Sequence, residues 1–96
     1  MLVLITYDVN TTEKAGKGRL RKLSKECENY GQRVQNSVFE CYLDSGQLLK
    51  LKNILLGIID EETDSLRFYI LGNKYKTKIE SYGLNTSYDP EESLII

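Results

Sequence analysis

The sequence predicts an α+β domain in which two helices pack on one sheet, with elements in the order β-α-β-β-α-β and one further strand. Three observations carry this expectation. The chain opens on the uninterrupted run Leu2-Val3-Leu4-Ile5; residues 20–30 and 45–59 repeat apolar side chains at helical spacing; and residues 32–43 and 65–72 alternate as strands do. Ninety-six residues suit one domain with one modest core. Residues 1–82 are expected to form it, and 83–96, polar and turn-rich around Asp89-Pro90, to be a C-terminal extension.

The first apolar run suits a strand buried on both faces and therefore central in the sheet, with Thr6-Tyr7-Asp8 marking its polar exit. Asn10, Thr11 and Thr12 can each start a helix, but Gly16 and Gly18 predict a flexible loop before the helical pattern sets in. From there Leu20, Leu23, Cys27 and Tyr30 form a narrow stripe on a helix ending near Gly31. In QRVQNSVFECYL, over 32–43, Gln35-Asn36-Ser37 interrupts the alternation and predicts two strands joined by a tight turn. A second core helix follows over 45–59, with Leu48, Leu51, Leu55, Ile58 and Ile59 inward, Ser45 near its start and Gly57 near its end. The strand over 65–72 carries apolar groups on both faces, and 74–82 can supply the extra strand.

This order is the ferredoxin-like split βαβ arrangement. Helices covering Phe39, Cys41, Leu66 and Phe68 would leave Val38, Tyr42, Tyr69 and Leu71 on the opposite face, with Glu40 and Arg67 among them. An apolar sheet face without helices predicts a two-fold homodimer through it, and the extra strand is a candidate addition to the partner's sheet.

Composition excludes several chemistries. Thirteen basic and 14 acidic residues give no global attraction to nucleic acid or membrane, so any basic site must be local. No apolar run approaches the roughly 18 residues that span a bilayer, and MLVLITYD lacks the basic flank and cleavage site of an export signal, so a cytoplasmic protein is expected. Histidine is absent, which removes the usual general base and the commonest transition-metal ligand. Cys27 and Cys41 are too far apart for a metal knuckle or redox pair and fall on apolar stripes as core thiols. Carboxylates with a hard metal ion are what remain for catalysis.

Asp8 is the strongest reactive candidate, because a strand end can hold a carboxylate still beside a loop. A two-fold axis near the strand ends would pair two Asp8 side chains into an anionic pocket for Mg²⁺ or Mn²⁺. Such an ion could activate water and relieve phosphate charge without histidine. The competing reading is a turn-forming aspartate bonded to the backbone of Asn10 or Thr11. Six cations and no acid lie between residues 14 and 25. Lys14, Lys17, Arg21, Lys22 and Lys25 form a basic patch that suits phosphate backbone, against the plainer reading of a solvated helix face. Arg33 could bring a guanidinium to a phosphate near Asp8, or be a simple strand-edge arginine. Tyr7, Tyr30 and Phe39 could stack on bases or belong to the core, and the acidic run from Asp60 reads as a solvated loop.

LVLITYDV at the start, Tyr30-Gly31-Gln32-Arg33-Val34-Gln35-Asn36-Ser37-Val38-Phe39-Glu40-Cys41 in the middle, and Asp64-Ser65-Leu66-Arg67-Phe68-Tyr69 later resemble the second universal CRISPR-associated adaptation protein family, Cas-two, most of all its type I-C branch. The resemblance implies a ferredoxin-like homodimer that bridges dimers of the CRISPR integrase Cas-one and holds the DNA protospacer. It also implies Mg²⁺-dependent endonuclease activity on RNA or DNA. The family's metal aspartate matches Asp8 and its tyrosine Tyr7; Arg33, Ser37 and Phe39 match other site positions, and Arg19 and Arg21 the arginines of the first helix. Two functions compete with a metal-dependent nuclease: a non-catalytic DNA-binding scaffold for the integrase, and a ribonuclease toxin on the same fold.

Overall fold

The computed structural model describes residues 1–71 and 77–84. The residues expected to begin the extra strand at 74–76, the Asp89-Pro90 turn and Leu94-Ile95-Ile96 lie outside the described residues. In chain order the elements are β1 (Leu2–Asp8), α1 (Lys14–Glu28), β2 (Gly31–Gln35), β3 (Val38–Tyr42), α2 (Ser45–Leu56), β4 (Ser65–Leu71) and β5 (Thr77–Gly83). The five strands form one antiparallel sheet in the order β2-β3-β1-β4-β5, with β1 central as expected. This is the ferredoxin-like fold with one strand added.

Alternation along β1 decides its two faces. Val3, Ile5 and Tyr7 enter the core, whereas Leu2, Leu4 and Thr6 are only half-buried, so the strand is not buried on both sides as its apolar run suggested. The core closes where Phe39, Cys41, Leu66 and Phe68 from the flanking strands meet Leu23 and Cys27 of α1 and Leu48, Leu51 and Leu55 of α2. Both thiols are fully buried there; burial pushes Cys27 up to about 12 and Cys41 to about 11.

The flexible loop expected around Gly16 and Gly18 is helix instead. Asn10 accepts hydrogen bonds from the Thr12 amide and hydroxyl, turning the chain, and α1 begins at Lys14 behind Glu13, which makes no side-chain cap. Gly16 allows this because a Cβ there would collide with the Asn10 carbonyl oxygen. α2 is capped one residue earlier than expected: Asp44 accepts from the Gln47 amide at 2.7 Å, and the Gln47 side chain accepts from the Asp44 amide at 3.0 Å.

The extra strand joins the sheet of its own chain. β5 pairs with β4 from Leu71↔Thr77 to Ser65↔Gly83, and Lys52 of α2 bridges to Glu80 at 2.5 Å. Tyr82 adds an edge-on contact with Phe68. Among the described residues no helix is long and apolar enough to cross a membrane.

Candidate nucleic-acid and metal site

Successive side chains of a strand point to opposite faces, and this separates residues adjacent in sequence at the end of β1. Asp8 is exposed on the face without helices. Its register partner is Ser65, and that of Thr6 is Arg67, so these four side chains share one corner of the open face. With Thr63 and Leu84 they line a recess of about 310 Å³. Val38, Tyr42, Tyr69 and Leu71 share the same face, with Tyr42 72% exposed.

Tyr7 points the other way. Its ring is 5% exposed and stacks on the fully buried Phe39, centroids 6.2 Å apart. Neither ring offers a face to a nucleic-acid base, so the stacking role expected of them is corrected. The Tyr7 amide donates to the Ser37 carbonyl at 3.2 Å, tying β1 to the hairpin turn. Its hydroxyl is buried near Ser24 and makes no hydrogen bond to the described residues. Burial is the main cause that raises its pKa, tempered by Ser24.

Arg33 also lies on the helix side, contrary to the expected approach to Asp8. A bulge between Arg33 and Gln35 displaces the edge strand, and the guanidinium lies 5.2 Å from the Phe39 centroid. It donates to the Ser24 hydroxyl and reaches Glu28 at 3.4 Å. Here α1 and the β2–β3 hairpin enclose an open groove of about 810 Å³. Lys17, Arg21 and Lys25 line it from the helix, Arg33 and Ser37 from the hairpin, and Tyr7 from below. Lys14 and Lys22 are exposed on α1 outside it.

Arg19 belongs to neither site. It donates to Asp64, which was expected in a solvated acidic loop but is fully buried. Asp64 also accepts from the Asn10 amide at 3.1 Å, the Asp60 amide at 2.9 Å and the Thr63 hydroxyl at 3.1 Å. Burial pushes its carboxyl up, but these donors, Arg19 foremost, hold it below the ordinary range. The node fixes the chain two residues beyond Asp8. Sequence reasoning missed it, along with Ser24 and Asn36 of the groove; its signal was an acid directly before a strand.

A hard divalent ion keeps several waters and uses one or two carboxylates. Asp8 and the hydroxyls of Thr6 and Ser65 supply oxygen donors of that kind, yet among the described residues no three acidic or sulfur ligands cluster. The single chain therefore offers such an ion one carboxylate and two hydroxyls at this corner, short of a full donor set.

A ferredoxin-like domain with a strand-end carboxylate on its open face and a cationic groove between its first helix and the β2–β3 hairpin defines a small protein suited to handling nucleic acid. The chain belongs to the family of the CRISPR associated protein Cas2, whose family model matches residues 1–79. It is 63% identical over 95 residues to the CRISPR-associated endonuclease Cas2 of Halalkalibacterium halodurans, covering 99% of both chains. It is 52% identical to the CRISPR-associated endoribonuclease Cas2 of Nitratidesulfovibrio vulgaris, covering all of this chain and 94% of the relative. The crystal structure of Streptococcus pyogenes Cas2 superposes with a TM-score of 0.71 at 58% identity, covering 75% of this chain and 87% of that one.

Proposed function

We propose that this chain is a metal-dependent endonuclease that hydrolyses phosphodiester bonds and serves CRISPR adaptation as a homodimer beside the integrase Cas-one. The observation that carries the reading is that Asp8 shares the open sheet face with Val38, Tyr42, Tyr69 and Leu71. A two-fold axis through that face brings a second Asp8 to the first and completes the donor set that one chain lacks. Asp8 with Thr6 and Ser65 would hold Mg²⁺, or Mn²⁺ in its place. Such an ion supplies an acidified water and charge relief at the phosphate. Arg67, in the same recess, offers positive charge to a phosphate oxygen. Lys17, Arg21 and Lys25 hold the strand backbone without reading its sequence. The relatives named endonuclease and endoribonuclease support the activity and leave DNA and RNA both as substrate classes.

The test is Mg²⁺-dependent cleavage of single-stranded RNA and duplex DNA by Asp8→Asn. Loss of cleavage with the dimer retained is expected; undiminished cleavage by the purified variant overturns the assignment.

A second reading is favoured by the sparse acidic set: among the described residues Asp8 is the one carboxylate lining the recess, against several cations in the groove. On that reading the chain is a DNA-binding scaffold for the integrase. Spacer acquisition that survives Asp8→Asn but fails when Lys17 and Lys25 become glutamate would select it.

A further inference from the structure

The groove holds something a solvated basic face does not. Buried hydroxyls are ordinarily hydrogen-bonded. The Tyr7 hydroxyl, on a side chain 5% exposed, has no such bond to the described residues and belongs to a side chain lining a cavity of about 810 Å³. Pockets for small organic ligands span about 300–1,000 Å³. On the helix wall, Lys17, Arg21 and Lys25 recur every four residues, about 6 Å apart along the axis, comparable with the distance between successive phosphates of a nucleic-acid strand. Leu20 supplies an apolar wall between them, and Arg33 faces them from the hairpin.

We propose that this groove is a nucleotide-binding subsite, on the opposite sheet face from Asp8, in which Arg21 and Arg33 take a nucleoside 5′-phosphate and the Tyr7 hydroxyl bonds the nucleoside. It rests on the nucleic-acid-binding reading above and adds a discrete pocket to it. Arg33 is the moving part. Its pairing with Glu28 joins two exposed side chains and is easily exchanged for a phosphate. When Arg33 turns from Ser24 and Glu28 to the phosphate, the Ser24 hydroxyl is released and the Tyr7 hydroxyl is uncovered. Sugar and base then lie along Leu20 and the aliphatic stems of the helix cations. The ligand comes either as the phosphorylated end of a strand or as a free nucleotide.

The experiment is titration calorimetry on the full chain in chelator, so that no metal-dependent cleavage takes part. Adenosine 5′-monophosphate is expected to bind saturably, and adenosine at least roughly tenfold more weakly. Tyr7→Phe, which removes only the hydroxyl, is expected to weaken the monophosphate roughly fivefold. Arg33→Ala, at an exposed position, is expected to weaken it roughly tenfold, and Lys50→Ala on the exposed side of α2 to leave it unchanged. A short 5′-phosphorylated single strand that outcompetes the monophosphate identifies a strand end as the occupant. Equal or weaker competition identifies the free nucleotide. Absence of saturable monophosphate binding, or binding indifferent to both Tyr7→Phe and Arg33→Ala, overturns the proposal. Because the readout needs neither metal nor Asp8, cleavage retained by Asp8→Asn would refute the nuclease reading and leave this result standing.

Discussion

Arg19 Nε donates to Asp64 Oδ2 across 2.7 Å, joining a partly exposed guanidinium to a carboxylate closed off from solvent. The same carboxylate accepts from the amides of Asn10 and Asp60, so three segments meet on one side chain: the loop after β1, the helix α1 and the turn before β4. Asp64→Ala is expected to cost about 3 kcal/mol, since it strands two amides and a guanidinium. Denaturant unfolding at pH 7 measures this.

The same carboxylate makes stability depend on pH. Its folded pKa is depressed below the ordinary 3.8, so its contribution is fully present above the unfolded value and is lost as pH falls through the folded one. Unfolding midpoints measured from pH 6 down to about pH 2 are expected to fall more steeply below about pH 4 in the native sequence than in Asp64→Asn. Equal slopes would show that Asp64 titrates alike in both states.

Gly16 and Gly18 sit two residues apart on α1 and are expected to respond oppositely to alanine. At Gly16 the added carbon meets the Asn10 carbonyl oxygen, backbone that cannot swing aside, whereas nothing lies within 4 Å of one at Gly18. Gly18→Ala is expected to stabilise by about 0.5–1 kcal/mol through helix propensity. Gly16→Ala is expected to destabilise by about 2 kcal/mol or more, because helix and loop must part. Thermal unfolding of the two variants side by side tests the pair.

These residues show where the sequence was readable. Phe39 and Cys41 against Val38 and Tyr42, and Leu48, Leu51 and Leu55 along α2, were assigned to faces correctly because periodicity is local and burial follows it. Gly16 read as a loop because its reason, contact with Asn10, is tertiary. Asp64 was indistinguishable from its acidic neighbours because Arg19, the partner that buries it, lies 45 residues away. The separation of Tyr7 from Asp8 followed from strand alternation and could have been read. That of Arg33 depended on a bulge with no clear mark in the sequence.

Cys27 and Cys41 are expected to stay unreactive as long as the fold is intact. Burial is the main cause that pushes their thiols up to about 12 and about 11, and the thiolate is the reactive form. An aromatic disulfide reagent at pH 8 is expected to release almost nothing from native protein and to react fully once denaturant is added. A rapid phase in the native protein would instead show an accessible thiol and reopen a redox role.

The last expectation concerns the open sheet face. Tyr42 is 72% exposed in the single chain, yet it shares that face with Leu2 and Leu71, and an apolar strip of this kind is ordinarily covered. Glutamate at position 42 has room in the monomer, so the fold is expected to persist by circular dichroism. In a dimer through this face the carboxylate would be buried without a partner, weakening association by about 3 kcal/mol, or more than a hundredfold. Leu49→Glu is the control, because Leu49 is exposed on α2 in the helical layer. Sedimentation is expected to show Tyr42→Glu as monomer and Leu49→Glu as dimer. Mg²⁺-dependent cleavage is expected to fall with the dimer, since each chain brings only one Asp8. A Tyr42→Glu protein that remained dimeric would place the axis elsewhere, and cleavage by its monomer would show that one Asp8 is enough.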